Sequence, residues 1–358
     1  MAGNKTKKVF ILRNNDLGDV LVATPLIKGL RKAFPKASIS MGIGDWARPL
    51  LENNPYLDEI ISINAPWHNK QNCRFPANSP RTFLEGLLYI LTSKESQFLR
   101  RQKYTHGIDV LGSRQGSWLL RRGRIPHRFG VRGYAGGDKW CENCVNFNGD
   151  RKVAEAALDF LPLLGATATV APRPLLLLRE KEKKDADEIW GKRNPRSKRI
   201  VIAPGGGFPE KCWGDDRFSK LTELLLARTD HAIRVIGSKC DKYRISVPRA
   251  EEESYRLRNY CGELSLRQSA SLVSTADFVI TNTSLSMHLA GAFSVPSLTL
   301  LGDWYESATL HHSQWGYPEG LILGKEISTG IKQISNPMDA YQAVIKNFLR
   351  NESMESHS

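Results

Sequence analysis

The sequence lacks any apolar run of the roughly 18 residues that a membrane-spanning helix needs. It also lacks an apolar segment before a cleavage site near the amino terminus, because Met1-Ala-Gly-Asn-Lys-Thr-Lys-Lys8 leads directly into a predicted strand. We therefore expect a cytoplasmic protein, and neither an integral membrane protein nor a secreted one.

Cysteine is scarce, with six residues in a chain of 358. Only Cys141 and Cys144 have a metal-like spacing, and no second pair of cysteines or histidines completes a four-ligand zinc site. We expect reduced thiols and no metal centre. No recognised nucleic-acid-binding signature is present, so nucleic acid is not an expected partner.

Positive charge is abundant, with a net charge of +14. Lysine and arginine cluster at Lys5–Lys8, Arg100–Lys103, Arg121–Arg132 and Lys192–Arg199. Such a balance favours an acidic partner, for example a phosphorylated substrate or an anionic membrane surface. Peripheral association with the inner face of a membrane is one expectation, and a solvated basic surface without a specific partner is the alternative.

The length and the alternation of apolar strands with amphipathic helices predict an α/β protein of two domains. We expect Rossmann-like domains over residues 1–172 and 173–336. Residues 337–358 are expected to form a helix that packs back on the first domain and a frayed tail. Single helices are predicted over 20–34, 82–101 and 151–164, and irregular chain over 133–148.

Small polar residues follow the apolar strand Phe278–Ile280, and a helical pattern begins at Leu285. A helix that starts after such a turn presents free N–H groups and suits a phosphate or diphosphate. His288, one turn into the helix, would donate a hydrogen bond to the same anion. The alternative is that the polar residues only cap the helix and that His288 is structural.

Three blocks of the sequence resemble glycosyltransferase family 9, the bacterial ADP-heptose:lipopolysaccharide heptosyltransferases and their relatives. The first block is Val9-Phe-Ile-Leu-Arg-Asn-Asn-Asp-Leu-Gly-Asp-Val-Leu-Val-Ala-Thr-Pro-Leu26, which continues to Pro35. The second is Lys211-Cys-Trp213, and the third is Met287-His-Leu-Ala-Gly-Ala-Phe-Ser-Val-Pro296 followed by Leu301-Gly302. Together they extend the similarity over essentially the whole chain.

The resemblance implies a GT-B fold, in which two Rossmann-like domains with parallel sheets face each other across a cleft. It also implies inverting transfer of a heptose-like sugar from a nucleotide diphosphate donor, ADP-heptose or another nucleotide sugar. The acceptor would be a hydroxyl of lipopolysaccharide core or a related anionic glycan. No cofactor and no essential metal are expected, since the nucleotide sugar is a substrate.

Asp19 matches the family residue proposed as the general base, which takes the proton of the attacking hydroxyl. Lys211 is expected to neutralise the charge that builds on the leaving diphosphate. The alternatives are an acidic residue in the first turn of a helix and a solvated lysine. Residues expected to bind the donor are Gly205, Gly206, Gly207, Asp241, Thr283, Ser284, Leu285 and His288. Residues expected to bind the acceptor are Asn15, Arg121 and Arg122.

The chain departs from the family pattern at Thr283, where an aspartate is usual, and at Leu285, where a glycine is usual. A leucine Cβ would obstruct a backbone with positive φ or a close approach to phosphate. These departures leave the donor sugar open. They also leave open a degenerate GT-B protein that acts as a basic binding module, and a sugar-nucleotide epimerase or hydrolase.

Overall fold

The computed structural model describes residues 7–76, 79–191, 197–247 and 255–349. The chain divides into two compact units after Leu177, slightly beyond the boundary predicted after residue 172. Lys5, residues 192–196 of the predicted basic clusters and the tail from residue 350 lie outside the described residues.

The first unit contains a parallel six-stranded sheet in the order β3-β2-β1-β4-β5-β6. The strands are β1 Lys8–Leu12, β2 Ser38–Ile43, β3 Glu59–Ser62, β4 His106–Asp109, β5 His127–Arg132 and β6 Asn143–Asn146. The helices are α1 Leu17–Val22, α2 Thr24–Ala33, α3 Arg48–Leu51, α4 Pro80–Thr92, α5 Lys94–Arg101, α6 Arg114–Arg122, α7 Val153–Ala156 and α8 Phe160–Leu163. This strand order reverses between β1 and β4, and ligands of such sheets bind at the carboxyl ends of the strands beside that reversal.

The second unit repeats this topology, with the strand order β12-β11-β10-β7-β8-β9. The strands are β7 Arg199–Ala203, β8 Ala232–Val235, β9 Leu257–Asn259, β10 Phe278–Asn282, β11 Ser297–Leu300 and β12 Gly320–Leu323. The helices are α9 Glu180–Trp190, α10 Asp215–Arg228, α11 Leu266–Ser274, α12 Leu285–Phe293, α13 Ala308–Trp315 and α14 Pro337–Val344. The order here reverses between β7 and β10, which is where a ligand site is expected.

The central strands are apolar because helices cover both faces of a parallel sheet. Every residue of β10 is buried, and Val9–Leu12 of β1 are likewise almost without exposed surface. Each such side chain contributes roughly 1.5–3 kcal/mol on burial. Burial of these strands fixes the positions of the loops that follow them.

The carboxyl-terminal helix α14 belongs to the second unit, and the predicted assignment of residues 337–358 to a separate element is corrected in that respect. Ala340 and Val344 are fully buried in the core of that unit. Its first turn is closed by a capping box of Asn336 and Asp339. Packing of this segment on the first domain stays a prediction.

Three predicted helices are interrupted. The helix predicted over 20–34 breaks at Ala23, where Pro25 follows and supplies no N–H for a continuous ladder. The helix over 82–101 breaks at Ser93, whose hydroxyl accepts from the Ser96 N–H and starts a new helix. The helix predicted over 151–164 divides into short segments.

Strand β6 lies where irregular chain was predicted. Its sequence is Asn-Cys-Val-Asn, and it forms the edge of the sheet, paired on one side with β5. An edge strand that is not buried on both faces has no apolar run to reveal it. Across the residues that the structure describes, no helix is long and apolar enough to span a membrane.

Arg234 joins α9 to the sheet of the second unit. It is 4% exposed, and its guanidinium donates to the carbonyls of Ile189 and Trp190, the last two residues of α9. It also donates to the carbonyls of residues 233, 255 and 256. The arginine thus satisfies helix-end carbonyls that would otherwise lack a donor.

We predict that Arg234→Met lowers the free energy of unfolding by about 3 kcal/mol, since several buried carbonyls lose their donor. Urea denaturation followed by fluorescence measures the change. Arg258→Met on the neighbouring strand β9 is the control, because Arg258 is exposed, and should change stability by about 0.5 kcal/mol or less. Equal effects of the two substitutions would contradict the assigned role.

Candidate active site

In the second unit, Asn282 at the end of β10 bonds both ends of the loop between β7 and α10. It is 1% exposed, its Nδ2 donates to the Pro204 carbonyl at 2.5 Å, and its Oδ1 accepts from the Trp213 N–H at 2.9 Å. The loop after β7 and the segment Lys211–Trp213 are therefore fixed at the same edge of the sheet. Sequence reasoning overlooked Asn282, although its position directly before the polar turn was a usable signal.

Close backbone approach surrounds Lys211–Trp213. A Cβ on Gly206 would lie 2.7 Å from the Cys212 sulfur, and one on Gly302 would lie 2.4 Å from the Cys212 carbonyl oxygen. The Gly302 N–H donates to the Lys211 carbonyl at 3.2 Å. Glycine is thus required at Gly302, which faces backbone atoms, whereas a side chain at Gly206 would have to displace the Cys212 sulfur. The predicted donor loop Gly205–Gly207 is brought beside Lys211.

The Lys211 ammonium lies over two aromatic rings. Its nitrogen is 5.1 Å from the centroid of Phe208 and 5.6 Å from that of Trp304. Cation–π contacts of this kind hold a cation without neutralising it. Among the described residues no carboxylate pairs with Lys211, so its charge is available to an anion.

Helix α12 begins at Leu285, beside β7, the strand that precedes the loop containing Lys211. The Ser284 hydroxyl makes no capping bond to the helix and lies 3.1 Å from the Thr281 hydroxyl. The first N–H groups of the helix are therefore not capped by that side chain. Leu285 has no positive φ, so its Cβ does not strain the backbone, and its effect on a close approach to phosphate stays a prediction.

Thr283 belongs to a polar cluster that the sequence did not predict. Its hydroxyl is 2.9 Å from His311 Nε2, and the His311 ring packs edge-on against Tyr305 at 4.7 Å. Burial, followed by nearby positive charge, lowers the pKa of His311 to about 4. Burial raises the pKa of Tyr305. The cluster is neutral at physiological pH.

One ring nitrogen of His288 makes a hydrogen bond within the protein. The ring is 6% exposed, and its Nδ1 lies 2.8 Å from the Tyr317 hydroxyl. Burial lowers its pKa to about 4, so the ring is neutral at physiological pH. A hydrogen bond to a diphosphate would have to use Nε2.

Asp241 is held by its own loop. Its carboxylate accepts from the Ser238 N–H and hydroxyl at 2.8 and 2.6 Å, and from Arg244 Nε at 2.7 Å. A Cβ on Gly205 would lie 2.6 Å from an Asp241 oxygen. Asp241 therefore lies against the glycine loop, with both oxygens already bonded.

In the first unit, Asp19 lies in the first turn of α1, directly after the loop that follows β1. Its carboxylate pairs with Arg13 at 2.9 Å, and the side chain of Asp19 keeps 34% of its surface exposed while that of Arg13 keeps 9%. The arginine orients the carboxylate, and the exposed part of the Asp19 side chain stays accessible, as a general base must be.

Asp109 lies at the end of β4, beside the switch point of the first sheet. It is 2% exposed, and burial raises its pKa to about 6, against the lowering effect of backbone hydrogen bonds and the Arg13 charge. The Ser113 hydroxyl that caps α6 lies 3.4 Å from it. Sequence reasoning missed Asp109, although a carboxylate that ends a central strand was a usable signal.

Asn15 lies in the same loop as Asp19. Its Nδ2 donates to the His68 carbonyl at 2.9 Å, and its own carbonyl accepts from Trp46 Nε1 at 3.0 Å. Its Oδ1 is buried and makes no hydrogen bond. These contacts fix the loop, and they leave one acceptor atom for a ligand.

Arg121 and Arg122 are not brought together with Asn15. They lie in the last turn of α6, just before β5 begins at His127. Since all strands of this sheet are parallel, that end of α6 lies at the amino edge, whereas Asp19 follows the carboxyl end of β1. The structure therefore does not bring these arginines together with Asn15, and their contact with the acceptor stays a prediction.

A cleft of about 570 Å³ opens in the first unit between the segment 64–74 and α4. Its walls carry mostly polar side chains. They include Asn64, Gln71, Asn72, Arg74, Glu85 and Tyr89. The segment 64–74 follows the carboxyl end of β3, so this cleft lies on the same edge of the sheet as the Asp19 loop.

Cys141 and Cys144 are free thiols. A Cβ on Gly130 would lie 2.9 Å from the first sulfur and 3.9 Å from the second. Burial raises the pKa of both thiols, to about 12 for Cys141. In the part of the chain that the structure describes, no group of three or more potential ligands is placed to hold a metal.

Solved structures with the same architecture are glycosyltransferases. A family 9 glycosyltransferase from Veillonella parvula superposes with a TM-score of 0.74 at 20% identity, covering 96% of this chain and 98% of that one. The E. coli ADP-heptose lps heptosyltransferase II gives 0.71 at 19% identity, covering 97% and 100%. E. coli heptosyltransferase WaaC with ADP gives 0.66 at 14%, covering 95% and 97%. The predicted GT-B fold is confirmed.

Sequence comparison gives the family. The chain is 25% identical over 316 residues to lipopolysaccharide heptosyltransferase 2 of Salmonella typhimurium, covering 82% of each protein. It is 24% identical over 307 residues to lipooligosaccharide heptosyltransferase 2 of Haemophilus ducreyi, covering 81% of each. The model of glycosyltransferase family 9 (heptosyltransferase) matches residues 93–314, more than half of the chain. The chain belongs to glycosyltransferase family 9, as its sequence blocks predicted.

The two buried histidines predict acid sensitivity of the second unit. Their pKa of about 4 lies below the usual 6.5, so the unfolded chain binds more protons as pH falls from about 6.5 to about 4. Stability present above pH 6.5 is lost over that window, at up to roughly 1.4 kcal/mol per pH unit for each histidine. Asp109 has the opposite effect on stability, because its pKa is raised to about 6. The stability that it contributes is lost as pH rises from about 4 to about 6.

We therefore expect His311→Gln to flatten the decline in unfolding free energy between about pH 7 and pH 5, as measured by urea denaturation. His127→Gln replaces an exposed histidine and serves as the control. A His311→Gln profile that parallels the unsubstituted protein would contradict the neutral, buried state of His311.

Proposed function

We propose that this enzyme transfers a heptose-like sugar from a nucleotide diphosphate donor to a hydroxyl of lipopolysaccharide core or a related anionic glycan, with inversion at the anomeric carbon. The relatives named above are lipopolysaccharide and lipooligosaccharide heptosyltransferases. The observation that carries the proposal is the unneutralised Lys211 next to the glycine loop and the start of α12. The reaction takes place in the cytoplasm, as expected from the sequence.

The second unit binds the donor. Lys211 and the N–H groups around Gly205–Gly207 contact the diphosphate from one side, and the first N–H groups of α12 contact it from the other. These donors stabilise the charge that develops as the glycosidic C–O bond breaks. ADP is the favoured nucleotide, because WaaC was solved with ADP and with an ADP-2-deoxy-2-fluoro heptose.

The first unit binds the acceptor and supplies the base. Asp19 takes the proton of the acceptor hydroxyl as its oxygen bonds the anomeric carbon, and the nucleotide diphosphate leaves with the electrons of the broken C–O bond. Arg13 orients the Asp19 carboxylate for this step. The polar cleft beside α4 is suited to glycan hydroxyls and phosphates, with Arg74 as its cation.

Thr283, with His311 and Tyr305, takes the place of the family's acidic residue at the donor sugar. The three side chains offer neutral hydrogen-bonding groups in place of a carboxylate. The helical backbone at Leu285 and the intact lysine loop support an active enzyme in preference to a degenerate binding module.

We predict that Asp19→Asn lowers kcat by about 10²–10⁴-fold while donor affinity stays unchanged, because only proton transfer is impaired. The rate of ADP release from ADP-heptose, in the presence of a lipopolysaccharide-core acceptor, measures kcat. Asp58→Asn is the matched control, since Asp58 pairs with Arg31 on the surface as Asp19 pairs with Arg13. Retention of full turnover by Asp19→Asn would exclude this residue as the base.

We also predict that ADP or ADP-heptose at about 100 times its Kd stabilises the protein by roughly 2.7 kcal/mol. Thermal shift with ADP, UDP, GDP and CMP measures the preference. Lys211→Met should weaken the shift with the diphosphates, because one cation is removed from the diphosphate. Lys332→Met, an exposed lysine of the same unit, is the control. Stabilisation that is identical in Lys211→Met and the control would contradict the donor site.

A further inference from the structure

The exposed face of α4 is apolar. Leu84, Leu88 and Leu91 recur at helical spacing and keep 56%, 52% and 48% of their surface exposed. Phe98 on the next helix, α5, is 39% exposed. Side chains three and four positions apart lie on one side of a helix, so the leucines form a continuous stripe. A contiguous exposed apolar surface of this kind marks a site of interaction with a protein or a membrane.

Cations surround this stripe. Arg81 is exposed one turn before Leu84 on the same face, and Lys94 and Arg101 are exposed on α5. Arg122, at the end of α6, donates to the Leu91 carbonyl at 3.4 Å, which places a guanidinium against the stripe itself. The basic end of α6 thus belongs to this surface.

The acidic residues of the two helices do not offset this charge. Glu85 is half-buried and faces Arg74 at 3.9 Å. Glu95 accepts from the backbone N–H and the side-chain amide of Asn64. In α4 and α5, both described in full, every exposed charged side chain is therefore a cation.

We propose that α4, α5 and the end of α6 dock on the surface of a bilayer that contains anionic lipids. Leucine and phenylalanine side chains enter the interface while arginine and lysine contact the phosphates, which is the pattern of an interfacial amphipathic helix. The charge complementarity selects an anionic membrane over a second copy of this basic chain. The inference goes beyond the proposed function, because it concerns where the enzyme resides and needs neither donor nor acceptor.

Docking here has a consequence for the acceptor site. Leu88 of the stripe also lines the polar cleft that is proposed to bind the acceptor. The cleft therefore opens next to the membrane-facing side chains. A glycan anchored in the same bilayer would reach the cleft without leaving the lipid surface.

The test is co-sedimentation of the full chain, without substrates, with vesicles of phosphatidylethanolamine and phosphatidylglycerol. Vesicles of phosphatidylcholine alone form the second arm. We expect binding to the anionic vesicles that weakens as salt is added, because salt screens the arginine contribution. Leu84→Ser with Leu91→Ser should raise the vesicle Kd by about tenfold or more. Arg101→Gln with Arg122→Gln should raise it for the anionic vesicles only.

The matched control is Ile331→Ser with Lys332→Gln, an exposed aliphatic residue and an exposed lysine in the second unit. It should bind vesicles as the unsubstituted protein does. Failure to bind anionic vesicles, or equal binding by the leucine variant, would overturn the proposal. So would sedimentation equilibrium showing a dimer that the leucine substitutions dissociate, because the stripe would then be a self-interface.

Turnover of a soluble, lipid-free acceptor separates this proposal from the proposed function. The leucine variant should keep that turnover while losing vesicle binding. An inactive protein that still binds vesicles would instead count against the transferase assignment alone.

Discussion

The proposed donor site of the second unit depends on the side-chain amide of Asn282. A buried amide with donors and acceptors in use is costly to leave unpaired, so its bonds to Pro204 and Trp213 hold strongly. These bonds hold the glycine loop and the lysine segment in a fixed position relative to β10, the most buried strand of the second sheet. The start of α12 follows from the same strand two residues later. Three anion-binding features thus share one origin.

Both units carry a polar loop at the same position of the sheet, but the side chains of the two loops differ. Each sheet has its strand-order reversal next to its first strand, and each puts a polar loop there. In the first unit the loop offers a carboxylate oriented by a buried arginine. In the second it offers a lysine over aromatic rings. The proposed base and the proposed anion-stabilising cation therefore belong to one architecture and differ in a few loop residues.

Much of the fold was predictable because buried parallel strands are apolar runs with little ambiguity. The strands β1 and β10 and the start of helix α12 fall where the sequence predicted them. The polar edge strand β6 and the breaks at Ala23 and Ser93 were not predicted, because hydrogen bonding and chain geometry decide them locally. The separation of Arg121 and Arg122 from the Asn15 loop needed the direction of the strands, which composition does not reveal.

The candidate site residues that the sequence predicted belong to recognisable motifs, whereas those that it missed depend on contacts between distant residues. Asp19, Lys211 and the glycine loop were expected from their blocks. Asn282, Asp109 and His311 become visible only when sheet neighbours are known. The neutral cluster around Thr283 also shows why one substitution could not be interpreted alone, since His311 lies 28 residues away in sequence.

The bonds that position Lys211 are almost all made to main-chain atoms. The Gly302 N–H meets the Lys211 carbonyl, and Asn282 meets the main chain at Pro204 and Trp213. Side chains between these points can change without moving the lysine, provided that the crowded glycines remain. Side chains that project from this framework can therefore be replaced while the main-chain contacts that hold Lys211 are kept. The family fold and the position of the lysine do not require high sequence identity, and the relatives named above share only 24–25% identity with this chain.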